Sequence, residues 1–239
     1  MLIVVMIVAF LAGFIQSVTG FGGAMILMMA LPYFVSLKTS TALAGCICIP
    51  MCIAVAVRYR DGIRLKLIIV PTIIYLISSA FFIKLAASID LEQLKAAFGL
   101  MLIGLAVYFN FFAGKFQLKP NFRNALLCAG FSGLTGGLFG VGGPLLVLYF
   151  LAVTDNKKAY LGTINLVFAI TESYSAVMRF FNGILTTDLL PIILCGFITV
   201  VFGSFLGGKV VDKLDGDKIR KLIYLLLAVS GLTIFVKAI

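Results

Sequence analysis

Charged side chains are absent from Met1 to Leu37 and again from Asn124 to Thr154, runs of 37 and 31 residues. As straight helices these would be about 55 and 46 Å long, against a hydrocarbon core of about 30 Å. One helix does not fit either run, so each is expected to break. Both contain a glycine-rich stretch where a break is least strained, because glycine accepts backbone angles that other residues refuse. The first reads Gly13-Phe14-Ile15-Gln16-Ser17-Val18-Thr19-Gly20-Phe21-Gly22-Gly23. The second reads Gly133-Leu134-Thr135-Gly136-Gly137-Leu138-Phe139-Gly140-Val141-Gly142-Gly143-Pro144. Further apolar segments lie at about 39–57, 67–83 and 96–114, then at about 159–178, 189–208 and 222–236, separated by short charged turns. The pattern predicts an all-α polytopic membrane protein, built as one broken run plus three spans, twice over.

The two halves, about 1–119 and 120–239, match in detail within a single transmembrane domain. Gly20-Phe21-Gly22-Gly23 aligns with Gly140-Val141-Gly142-Gly143 at an offset of 120, as do Lys38 with Lys158 and Pro71 with Pro191. Arg58, Gly62 and Ile63 align with Arg179, Gly183 and Ile184 at 121. Duplications of this kind are frequent in secondary transporters, whose sites lie between the halves. The charges choose between two topologies. If each long run crosses once, the 19 Lys and Arg divide ten to nine; if each enters, breaks and returns, they divide fourteen to five. Only the second obeys the positive-inside rule. It places both termini on the extracytoplasmic side and inverts the second half relative to the first. Whether the hairpin arms are half-helices or nearly full spans stays open at this point.

Composition narrows the function. The chain has 239 residues, of which 62% are hydrophobic and 12% charged, with a mean hydropathy of +1.19. That is too apolar for a soluble domain. No basic region precedes the first apolar run, so a cleaved signal peptide is not expected. The net charge of +10 is scattered between apolar spans, where topology signals belong, and does not point to nucleic acid. Without histidine, Ser-His and Cys-His catalysis are excluded and a zinc or haem site is not expected. No cofactor is called for. The five cysteines all lie in apolar stretches and read as buried core residues.

The candidate chemistry sits at the breaks. A helix at about 24–36 and another at about 144–152 would present unpaired N–H groups and the positive ends of their dipoles. Pro144 at a first helical position supports the second start. Two such ends facing each other make an anion site from backbone alone. Gln16, Ser17 and Thr19 accompany the first break, Ser132 and Thr135 the second. The plainer reading is that these glycines only permit close helix packing. Gly203-Ser204-Phe205-Leu206-Gly207 is read as packing. Arg58 and Arg179 occupy matching span ends; they either attract anions at the mouths of a pathway or snorkel as topology signals. Glu172 lies well inside a span, where an ionisable group is costly and a functional hypothesis by default. It is a candidate for proton coupling, or else a structural partner of an arginine. Asn165 lies two helical turns before it on the same face.

On the two glycine motifs, the duplicated plan and the Arg-containing turns ending in Gly-Ile at 58–63 and 179–184, the chain resembles the sulfite exporter TauE/SafE family, also called the 4-toluenesulfonate uptake permease family. The resemblance covers essentially the whole chain. It implies a multi-pass inner-membrane transporter of sulfite, a sulfonate or another sulfur-containing organic anion. It carries over the motif positions Gln16, Thr19, Gly20, Gly22, Gly23, Thr135, Gly140, Gly142, Gly143 and Pro144; this chain is short for the family. The expected function is alternating-access transport of a small anion, with the bilayer as its setting. The rivals are an anion channel and, with less support, a membrane-embedded enzyme or assembly factor. A homodimer suits so small a transporter, although no face of it stands out.

Overall fold

The computed structural model describes residues 2–111, 121–210, 229 and 232–236. Among them every regular element is helical: α1 Leu2–Thr19, α2 Gly23–Ala30, α3 Leu37–Arg58, α4 Leu65–Ser88, α5 Leu91–Phe111, α6 Phe122–Phe139, α7 Gly143–Val153, α8 Lys157–Phe181 and α9 Leu190–Val210. Five of these, α1, α3, α4, α8 and α9, are long and apolar enough to cross a bilayer. The apolar segments expected from 39 to 111 and from 159 to 208 fall on α3, α4, α5, α8 and α9. The segment expected at 222–236 lies largely outside the described residues.

Both long runs break at their glycines. Between α1 and α2, Gly20 and Gly22 take φ values of 85° and 101°; between α6 and α7, Gly140 takes 68°. This left-handed region costs an L side chain about 1–2 kcal/mol. At each break the chain doubles back, and the first arm caps the second. The Gly23 N–H donates to Gln16 Oε1 at 3.0 Å, and the Leu146 N–H to Ser132 Oγ at 3.1 Å. The arms are unequal. α1 and α6 are each about 27 Å long, whereas α2 and α7 are about 12 and 17 Å. The helix expected to run to about residue 36 stops at Ala30. Pro32 follows within a 3-10 turn, Leu31–Tyr33.

The capping side chains of Ser36, Asn121 and Asn156 start α3, α6 and α8 by accepting from Thr39, Asn124 and Ala159 N–H. α3 and α8 form the buried centre and run antiparallel: Gly45 faces Glu172 and Arg179, while Gly62 and Gly162 meet the backbone of Lys158 and Tyr59 at the other end. α1 lies along α9. A Cβ at Gly13 would strike the backbone of Val200, one at Gly203 that of Phe10 and one at Gly207 that of Phe14. The GxxxG spacing therefore serves backbone approach. α6 lies along α4 in the same manner, with Gly133 against Tyr75 and Ser78, and Gly137 against Ser79 and Ile83. Exchanging α1 with α6, α2 with α7, α3 with α8 and α4 with α9 interchanges the α1–α9 and α6–α4 pairings and leaves α3–α8 as itself. Ile69, Ile73, Ile77 and Phe81 of α4, and Leu194, Ile198 and Phe205 of α9, are exposed, as lipid-facing side chains would be.

Candidate functional site

The two hairpin tips meet at the centre of the bundle. Gly22 from the first break and Val141, Gly142 and Gly143 from the second line one cavity with Gln16, Ala24, Met25, Cys48, Cys52, Phe168 and Glu172. The N-terminal ends of α2 and α7 thus open on the same space as the Glu172 carboxylate. The cavity is small: about 20 Å³ is open to the centre of a water molecule, room for one or two waters. An oxyanion of four heavy atoms exceeds it.

Gln16 organises the near wall. Its Oε1 holds Gly23 N–H, while Nε2 donates to Asn165 Oδ1 at 3.0 Å and to Cys52 Sγ at 3.2 Å. Asn165 Nδ2 in turn donates to Leu161 O at 2.9 Å and reaches Gly20 O at 3.4 Å. Asn165 therefore stands behind the cavity and braces the first break. A second, roomier cavity of about 270 Å³ lies beyond this brace, between Val18 and Thr19 on one side and Thr154 to Tyr160 on the other. The Tyr160 ring covers Gly20, where an added Cβ would come within 2.6 Å of it.

The other candidate residues divide by place. Gly22, Gly142, Gly143, Gln16 and Glu172 line the cavity; Gly23 supplies a held N–H, and Pro144 follows in the first turn of α7. Ser17, Thr19 and Thr135 point elsewhere. Ser17 Oγ donates to Phe14 O and faces Gly207 of α9. Thr19 Oγ1 bonds to the carbonyls of Ile15 and Phe21 across the turn. Thr135 Oγ1 bonds back to Phe131 O in its own helix. Gly140 packs on Thr41.

The two arginines part company. Arg58 is exposed and lies over Gly208 of α9. Arg179 does not stand at a pathway mouth or snorkel to an interface: it is 1% exposed, and Nη2 donates to Gly136 O at 2.8 Å. The reason is helical phase. Both helices run unbroken from their caps, but Arg58 comes 22 residues after Ser36 and Arg179 comes 23 after Asn156. One residue turns a side chain through about 100°, enough to send one arginine out and the other in. Glu172, 7% exposed, lies on the same inward face.

Cys48 and Cys52 were not singled out by sequence, although their spacing of four residues places both on one face of α3 and so in the cavity. Met25, Phe168, Ala24 and Val141 are ordinary apolar residues that carried no signal. Among the described residues no cluster of His, Cys, Asp and Glu could hold a metal ion.

Comparison with known proteins gives two matches. The family model for the sulfite exporter TauE/SafE covers residues 5–234. A protein of Methanocaldococcus jannaschii named as a probable membrane transporter protein is 28% identical over 254 residues, spanning 95% of this chain and 92% of its own. No solved structure matches.

Proposed function

The chain belongs to the sulfite exporter TauE/SafE family and is a membrane transporter rather than an enzyme, and on that footing we propose that it carries a small sulfur-containing anion across the inner membrane by alternating access. The observation that carries this reading is the meeting of both glycine breaks in one cavity. Helix N-termini favour anions through their N–H groups and dipoles. Glycine at these positions keeps the backbone approachable, and the family points to sulfite or a sulfonate as the class of anion.

Inversion of the two halves is part of the proposal. It is supported by the matching contacts and by α3 and α8, equivalent helices that run antiparallel. With that inversion the positive-inside rule puts both termini outside. The broad cavity beside Thr154 to Tyr160 then forms a cytoplasmic vestibule, closed from the site by the Gln16–Asn165 brace and the Tyr160 ring. Glu172 is the candidate proton carrier. The titratable and charged groups around it are Cys46, Cys48 and Cys52 of α3, Tyr75 of α4 and Arg179 of its own helix.

Thermal unfolding of detergent-purified protein with sulfite, sulfate, thiosulfate, sulfoacetate and taurine tests the site. A ligand at a hundredfold excess over its Kd stabilises the native state by about 2.7 kcal/mol, a rise of roughly 5–10 °C for a chain of this size. We expect such a rise with one of these compounds, and none in Gly142→Leu, whose side chain would fill the cavity and strike Tyr75. No rise with any of the five would refute the sulfur-anion reading.

A further inference from the structure

Gln16 and Asn165 brace the first hairpin; an offset of 120 residues maps them onto Gly136 and Gly45. The second hairpin therefore lacks that brace, and two larger groups occupy the space. The Tyr75 hydroxyl lies against Gly136 and Gly142, and the Arg179 guanidinium reaches Gly136 O. Arg179 Nη1 is buried and has no hydrogen-bond partner among the described residues. Ser175, one turn earlier on the same face of α8, is equally buried, and its hydroxyl faces only that of Tyr75, without a well-formed hydrogen bond. A buried cationic donor left without an acceptor is among the costlier arrangements in a protein interior. Glu172 offsets the charge from a distance but does not supply the missing acceptor: the close ion pairs among the described residues are Arg60–Asp61 and Arg64–Asp155. Even so, the two charges are near. Glu172 Oε2 and Arg179 Nη1 lie 2.9 and 3.6 Å from the point a Cβ at Gly45 would occupy. Without a side chain at Gly45, Glu172 and the guanidinium both close in on α3, and Glu172 stands between Arg179 and the cavity it lines.

We propose that Arg179 Nη1 and the Ser175 hydroxyl form a second anion subsite behind Glu172, entered from the central cavity when that carboxylate moves aside, that receives the charged oxygens of the transported anion. The proposal rests on anion transport through the central cavity. The two donors suit an oxyanion whose oxygens accept from both at once, and the proposed function narrows that to a sulfite or sulfonate head group. The guanidinium also links this subsite to the break. Gly136 O accepts from Arg179 Nη2 at 2.8 Å and from Gly140 N at 3.0 Å, so an anion drawing on Nη1 loads the carbonyl that ends α6. Glu172 and the anion then compete for one cation, which makes their occupancy of this place mutually exclusive.

The test is the Kd of sulfite for purified protein, by calorimetry, in wild type, Arg179→Lys, Ser175→Ala and Ser175→Thr. Lysine keeps the charge but loses the planar fork. The expected result is a rise in Kd of tenfold or more in Arg179→Lys and several-fold in Ser175→Ala. Ser175→Thr, which restores a hydroxyl, should return near the wild-type value. Melting temperature in the absence of sulfite is measured alongside, because the Ser175 hydroxyl also faces Tyr75; a merely structural serine would lower it without changing the Kd. If Arg179→Lys fails to fold, the serine pair decides alone. Sulfite binding lost in Gly142→Leu but within twofold of wild type in both serine variants overturns the subsite and leaves the central site standing. No sulfite binding by wild type overturns the central sulfite site and the subsite together.

Discussion

The Gln16–Asn165 brace gives the most demanding quantitative prediction. Asn165→Leu removes the acceptor at 3.0 Å from Gln16 Nε2, leaving that donor only the Cys52 thiol, and frees Gly20 O. Gln16→Met leaves both Gly23 N–H and Asn165 Oδ1 without this partner. Stranding a buried polar group costs about 1–3 kcal/mol, so each single variant should lose about that much. For a chain of this size the loss corresponds to roughly 2–4 °C of melting temperature per kcal/mol. The double variant removes the shared bond once, not twice. Its loss should fall short of the sum of the singles by about 1 kcal/mol, in keeping with side-chain hydrogen bonds inside membrane proteins, which reach about 1.7 kcal/mol. Reversible unfolding in mixed micelles, followed by helical circular dichroism, measures all four corners of the cycle. Additive losses, within about 0.3 kcal/mol, would show that the two side chains do not act as one brace and refute this account of how the first break is held.

Two further predictions follow from the same geometry. Gly203→Leu should abolish accumulation of folded protein, because its side chain would enter the Phe10 backbone where α1 and α9 touch; normal yield with normal melting would contradict the close approach. Glu172→Gln should leave sulfite binding in place but remove the dependence of uptake on an imposed proton gradient in proteoliposomes; an unchanged gradient dependence would remove Glu172 from the coupling step.

Much of the architecture was legible in the order of residues. Over-long uncharged runs had to break, and glycine was the place of least strain. Apolar runs and the charged turns between them located α3, α4, α8 and α9 to within a few residues, because membrane spans are set by length and hydropathy more than by tertiary contacts. Glu172 was visible as a costly group inside a span. Three things needed the folded chain. The close lie of α1 along α9 and of α6 along α4 rests on glycines meeting a partner's backbone, which apolar composition does not encode. Cys48 and Cys52 became cavity residues only when the glycine tips arrived beside α3. Arg58 and Arg179, paired by an alignment that stepped from an offset of 120 to 121, differ by one residue of helical phase. A sequence match tolerates that step; a continuous helix turns it into about 100° of rotation, and so into one exposed cation and one buried between the halves.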